Sequence, residues 1–216
     1  MGGKGSKDAP ATYERRLWGE GYARPAGVDE VGRGAWAGPV VAAAVILPAS
    51  PRVKGVADSK VVTPAARERL FDEITQIAVA WAVGVVASTR VDEINVLRAT
   101  YEAMEKAVAG LEPAPDFVLV DGRDVPRFPL PYQAVLDGDA LVYSIAAASI
   151  VAKVWRDRIM VEMHEEWPAY GWARNKGYGT KEHQAALKEH GACPQHRASY
   201  GPIAGLRQGT LGVGGE

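Results

Sequence analysis

Apolar residues along this chain fall into two kinds of pattern. Short runs rich in β-branched residues occur at 26–31, 39–47 (PVVAAAVIL), 79–86, 117–120 and 132–136. Runs of that length bounded by turn residues read as strands. The first two are separated by Gly32-Arg33-Gly34-Ala35-Trp36-Ala37-Gly38, a Gly-rich turn between sequential strands. The run at 117–120 is apolar throughout and closes on Asp121-Gly122, which fits a strand buried on both faces with an acid at its carboxyl end. Elsewhere the spacing is helical. Thr63-Pro64 supplies an N-cap and a first-turn proline ahead of Leu70, Ile74 and Ile77. Ile94, Leu97, Tyr101, Met104 and Val108 recur every three or four residues and predict one amphipathic helix over 91–108 that ends at Gly110. Residues 141–163 read as a long Ala-rich helix.

Strands dominate early and helices late, with strand–helix alternation between. This predicts an α/β fold, a mixed sheet flanked by helices, with a C-terminal helical extension. The expected organisation is a flexible arm over 1–12, a core over 13–165, a helical tail over 166–208 and a flexible end over 209–216. No internal repeat is present.

Composition narrows the class. With 216 residues, 47% hydrophobic and 24% charged, the chain can bury a core unaided, which excludes disordered, collagen-like and membrane classes. Cys193 is the one cysteine and has only His196 as a near co-ligand, so neither an intrachain disulfide nor a structural zinc is expected. The start, MGGKGSKDAPATYERR, lacks the apolar stretch of a signal peptide, and 39–47 is too short to span a bilayer; a cytoplasmic protein is expected. Cations and anions number 25 and 26, which excludes a global polycation. Over 171–208, however, Arg174, Lys176, Lys181, Lys188, Arg197 and Arg207 face Glu182 and Glu189. A solvated helical surface accounts for this excess as well as a nucleic-acid partner does. His183, His190 and His196 read as surface or packing residues, and the six tryptophans as core or partly buried.

The candidate chemistry lies in the carboxylates. Asp29 and Glu30 sit side by side in an apolar run with Arg33 nearby; neighbours on a strand point to opposite faces, so a shared site needs a bend or a backbone atom. Asp121 ends a second apolar run, and Asp139 stands just before the Ala-rich helix, where N-capping is an equally simple explanation. Together these acids could meet at one sheet edge, the customary place for a site in an α/β fold. Four converging carboxylates repel unless divalent cations neutralise them, and oxygen-only ligation suits Mg²⁺ or Mn²⁺. Gly32-x-Gly34-x-x-x-Gly38 misses the dinucleotide spacing, and no Gly-Lys-Ser/Thr occurs. Glycines around an arginine offer instead close backbone approach and a cationic fork.

Several stretches resemble type 2 ribonuclease H, the bacterial ribonuclease HII: GVDEVGRGAWAGPVVAAAVIL, DSK at 58–60, EINVLRATYEAM at 93–104, LVDG at 119–122, GDALVYSIAAASIVAKVWRD at 138–157, NKGYGTKEHQAAL at 175–187 and PQHRASYGPI at 194–203. They run in order over most of the chain. The resemblance implies a ribonuclease H-like core followed by a substrate-binding tail. It also implies endonucleolytic cleavage of the RNA strand of RNA–DNA hybrids, and incision at single ribonucleotides in duplex DNA. The acidic quartet carries over onto Asp29, Glu30, Asp121 and Asp139, holding two Mg²⁺ or Mn²⁺ ions. Substrate recognition carries over onto Gly32, Arg33, Gly34, Lys60 and Tyr178, and Asp157 matches a supporting acid. On that footing Arg174, Lys176, Lys181 and Arg197 are expected to contact phosphates. The expected partner is an RNA–DNA hybrid or a ribonucleotide-containing duplex, bound by a monomer with no membrane. Departures from the family pattern are Ala35-Trp36 for Pro-Leu and Asn175 for His. Two alternatives stay open: another metal-dependent nuclease or transposase of the same broad fold, such as a proofreading exonuclease, whose motif spaces its first acids by one residue, and a nucleic-acid-binding module with structural acids.

Overall fold

The structure, a computed structural model, describes residues 8–50, 52–57, 59 and 62–209. In chain order the elements are α1 (Thr12–Gly19), β1 (Pro25–Val31), β2 (Val40–Ile46), α2 (Pro64–Ile77), β3 (Ala80–Val86), α3 (Ser88–Ile94), α4 (Val96–Ala109), β4 (Phe117–Asp121), β5 (Tyr132–Val135), α5 (Gly138–Leu141) and α6 (Tyr143–Glu166). A 3₁₀ turn (Pro168–Tyr170), α7 (Trp172–Asn175), α8 (Lys181–His190) and α9 (Gly201–Gly209) follow. The strands form one sheet in the order β3-β2-β1-β4-β5. β1 runs antiparallel to β2 and parallel to β4, and β4 runs parallel to β5, so the sheet is mixed as the sequence predicts.

The chain divides into two compact units. The first draws on Met1–Val31, Val41–Val85 and Tyr101–Val154, the second on Gly32–Val40, Val86–Thr100 and Trp155–Glu216. The second unit is therefore assembled from three stretches and is not a contiguous tail; the Gly-rich turn after β1 belongs to it.

Within the first unit, Ala146, Ala147, Ala148, Ile150, Val151 and Ala152 of α6 are all fully buried, as expected for a helix apolar all round. Its start lies so close to β1 that a Cβ on Gly27 would stand 2.2 Å from the Ser144 carbonyl carbon. Only a glycine admits that approach. Thr63 caps α2 by accepting from the Ala66 N–H at 3.3 Å, as its sequence implies.

Three expectations need correction. The single helix over 91–108 is two, because Asn95 adopts a left-handed φ of 66° and its Oδ1 accepts from the Leu97 and Arg98 N–H groups at 3.0 and 3.1 Å. A residue whose side chain bonds the next turn ends one helix and caps another. The Ala-rich helix begins at Tyr143, after the separate short α5. The segment 8–12 is packed: Ala9 and Ala11 are buried, and the Ala9 N–H donates to the Val56 carbonyl at 2.9 Å. The rest of the expected arm, 1–7, and residues 210–216 of the expected flexible end lie outside the described residues. The sequence pattern also missed α1, which seats Leu17 among Phe117, Leu119, Val135, Val142 and Ile145.

Candidate active site

Asp29 and Asp121 occupy equivalent positions on adjacent parallel strands. The β1–β4 register pairs Val28 with Val120, and each acid is the next residue along its strand. Asp29 is 5% exposed, while Glu30 and Asp121 are half-buried. The Asp29 Oδ1 accepts from the Glu30 N–H at 2.7 Å. Burial drives the Asp29 carboxyl well above the usual carboxylate range, and the negative charges of Glu30 and Asp121 push it further; hydrogen bonds from Ser149 and the Glu30 N–H work in the opposite direction. The Ser149 hydroxyl is also 2.9 Å from that of Ser59, which links Ser59 to the carboxylates. Asp121 Oδ1 accepts from the Gly138 N–H at 2.6 Å, fixing the start of α5, and the next residue is Asp139, 7% exposed. Asp139 lies inside α5 and does not cap α6, so the capping explanation for this acid fails. The first unit thus gathers Asp29, Glu30 and Asp121 within electrostatic reach and attaches Asp139 through the Asp121–Gly138 bond.

The donors are all carboxylate oxygens, the chemistry that hard divalent cations take. Among the described residues no three His, Cys, Asp or Glu side chains form a ready-made metal-ligand set. The fit is therefore one of donor chemistry and charge, since Asp29 is buried with two anionic neighbours.

The second unit carries the Gly32-Arg33-Gly34 turn and Tyr178. Arg33 and Gly34 are exposed, and Tyr178 is half-buried. The turn is held by backbone: the Trp36 N–H donates to Gly177 O at 2.8 Å, and Arg197 N–H to Trp36 O at 2.8 Å. Both departures from the family pattern have structural roles. Asn175 is buried, donates through Nδ2 to the Tyr170 carbonyl at 2.7 Å and accepts from the Gly177 N–H at 2.9 Å, shaping the turn that presents Tyr178. The Trp36 ring lies against Gly179, where a Cβ would stand 2.2 Å from it.

Residues 26–202 match the family model of ribonuclease HII. The chain belongs to the ribonuclease HII family. It is 54% identical over 186 residues to the ribonuclease HII of Paracidovorax citrulli, covering 86% of this chain and 78% of that one. Among solved structures it is similar to the ribonuclease H2 of Pyrococcus horikoshii, with a TM-score of 0.75 at 26% identity over 88% of this chain and 99% of that one. The ribonuclease HII of Archaeoglobus fulgidus, solved in complex with PCNA, gives 0.69 at 28% identity over 82% and 95%. As a ribonuclease HII the protein is a hydrolase, an endonuclease acting on the RNA of RNA–DNA hybrids. The exonuclease and binding-module alternatives lapse. No helix among the described residues is long and apolar enough to cross a membrane.

Not every cation expected to meet phosphate in this ribonuclease HII can do so. Arg197 is fully buried, and its guanidinium donates to the carbonyls of Gly38 at 2.9 Å and Arg33 at 3.0 Å. It is a structural clamp on the Gly-rich turn and not, as expected, a phosphate contact. Arg174 and Lys181 are exposed and Lys176 half-buried, with Arg174 paired to Glu182. Lys60 lies outside the described residues. His183 and His196 are core groups and not surface ones, at 0% and 3% exposed. The His183 Nδ1 faces the Tyr178 carbonyl at 3.0 Å and so carries the proton; its Nε2 then accepts from His196 Nε2 at 3.0 Å, whose Nδ1 accepts from the Cys193 N–H at 3.0 Å. Sequence reasoning missed Ser149 and this chain of imidazoles and marked Asn175 only as a departure from the family pattern; polar residues on helical or turn stretches gave no signal of what they hold.

Proposed function

We propose that the protein also incises duplex DNA 5′ to a single embedded ribonucleotide, and that cleavage of either substrate is a two-metal hydrolysis leaving 3′-hydroxyl and 5′-phosphate ends. The observation that supports this most directly is the placement of Asp29 and Asp121 at matching register positions of β1 and β4, with Glu30 and Asp139 attached to them by adjacency and by the Asp121–Gly138 bond. Asp29, Glu30, Asp121 and Asp139 would hold two Mg²⁺ or Mn²⁺ ions. When bound, such ions lower the pKa of an attacking water and stabilise the leaving oxygen of an in-line displacement.

The remaining steps belong to the chain's own groups. Ser149 and the Glu30 N–H hold the Asp29 carboxylate in one orientation, and the Gly138 N–H does the same for Asp121; such outer hydrogen bonds fix ligands before anything binds. The 2′-hydroxyl distinguishes ribose from deoxyribose at one nucleotide. Backbone groups of Gly32, Arg33 and Gly34 approach it, and the Tyr178 ring stacks on the neighbouring sugar. Arg174, Lys176, Lys181 and Lys60 are assigned to phosphates. The 2′-hydroxyl is a recognition handle here and not the nucleophile.

Incubating a DNA duplex carrying one ribonucleotide with the protein, with and without EDTA, and mapping the cut tests the scheme. Metal-dependent incision 5′ to the ribose with a 3′-hydroxyl product is expected. A 2′,3′-cyclic phosphate product sinks it.

A further inference from the structure

We propose that Arg156, on α6, is a positioning residue that locks the Gly32–Val40 stretch and the 175–179 loop into one arrangement, and thereby sets how strictly the protein demands a ribose. The inference rests on the reading that Gly32, Arg33, Gly34 and Tyr178 face that sugar.

Arg156 is fully buried, and its three donor nitrogens are spent on two backbone segments of the second unit. Nε donates to the Pro39 carbonyl at 2.9 Å and Nη2 to Ala37 at 3.2 Å. Nη1 donates to the Lys176 carbonyl at 2.9 Å, two residues before Tyr178. The guanidinium carbon also lies 5.5 Å from the Tyr178 ring centroid, within cation–π range. One planar fork with five N–H groups can serve two strands of backbone in fixed directions; a lysine ammonium cannot.

The fork's seat also dictates the first glycine of the turn. At Gly32, φ is 92° and a Cβ would stand 2.2 Å from Arg156 Nε, so a side chain there would expel the guanidinium before any substrate arrived. Burying a cation is costly, and desolvation lowers the Arg156 pKa to about 10. An apolar side chain of similar volume would fill the space at less cost. What it could not do is bind three carbonyls from two segments at once.

Arg156→Lys keeps the charge and removes the fork. Its initial rates are to be compared on a duplex with one ribonucleotide and on a continuous RNA–DNA hybrid, alongside its melting temperature. Displacement of recognition groups by about 1 Å costs on the order of 100-fold, so incision at the single ribonucleotide is expected to fall about 10- to 100-fold, chiefly in kcat. The continuous hybrid is expected to lose less, because a displaced loop still meets a 2′-hydroxyl on the next nucleotide. Adding Tyr178→Ala to Arg156→Lys is expected to cost little more than either change alone, since both act through one loop. Equal losses on both substrates that track the melting temperature, or additive effects in the double variant, overturn the proposal. If Tyr178→Ala alone leaves the ratio of the two substrates unchanged, the underlying reading of the ribose site fails and takes the proposal with it. Should Arg156→Lys melt below the assay temperature, the guanidinium NMR signal of Arg156 in the unaltered protein decides in metal-free buffer. It is expected to shift on adding the ribonucleotide duplex and not on adding the all-DNA duplex; identical spectra overturn the proposal.

Discussion

At the scale of single residues, residue type pointed to the acids and burial decided what the cations do. Asp29, Glu30, Asp121 and Asp139 were legible because carboxylates in or beside apolar runs are conspicuous, and the strand register then put Asp29 and Asp121 at equivalent positions. Arg197 differs from its expected phosphate role because a formal charge does not reveal that its guanidinium donates to the carbonyls of Gly38 and Arg33 and to the Tyr200 hydroxyl. The carboxylates carry a prediction with two opposite signs. Asp29→Asn keeps an oxygen to accept the Glu30 N–H but removes a buried charge that has two anionic neighbours. Cleavage is expected to fall more than about 100-fold, beyond the loss typical of second-sphere changes, while stability in metal-free buffer rises by about 0.5–2 kcal/mol, the range that single stabilising substitutions commonly give. Rate assays and urea unfolding of the same preparation check both. Loss of activity together with loss of stability would mark Asp29 as structural.

At the scale of elements, hydrophobic period read the sheet well and the helix ends poorly. The five apolar runs became the five strands of the sheet, and burial is near-continuous in the three central ones, β1, β2 and β4, where it leaves little freedom of register. Helical period ran through 91–108 without interruption, and the break at Asn95 depends on a side-chain-to-backbone bond that periodicity cannot register. For α1 the missing information was its partner: Glu14 is 2% exposed because its Oε1 accepts from the Ser144 N–H at 2.7 Å at the start of α6. A carboxylate at a helix N-terminus also meets the positive end of the helix dipole. Two losses of stability are expected. Asn95→Ala removes the cap and leaves a Cβ-bearing residue at positive φ, costing about 1–2 kcal/mol. Glu14→Ala leaves a buried N–H without its acceptor, costing about 1.5–3 kcal/mol. Both are measurable as lowered urea midpoints with unchanged slopes; a midpoint within error of the parent for Glu14→Ala would show that α1 does not anchor α6.

At the scale of the whole molecule, the near balance of 25 cations and 26 anions conceals two local effects of opposite pH behaviour. One is the acidic group of the first unit. The other is the pair of neutral imidazoles in the core of the second, where His183 and His196 face each other at 3.0 Å and both rings abut Tyr170 and Trp172. Burial lowers the pKa of His196 from 6.5 to about 4, with the proximity of His183 adding to it, and lowers that of His183 as well. A histidine whose folded pKa lies below its unfolded value binds its proton more readily when the chain is unfolded. Its contribution to stability is therefore complete above about pH 6.5 and is lost as pH falls toward 4. At about 1.4 kcal/mol per unit, His196 alone bounds that loss at roughly 3 kcal/mol. Urea unfolding at pH 7.0, 5.5 and 4.5 is expected to show a steady drop across this interval, and His196→Asn, which cannot take up a proton, to flatten it while lowering stability at pH 7. If the variant's curve falls as steeply as the parent's, the acid sensitivity belongs to other groups of the chain and the imidazole pair contributes packing alone.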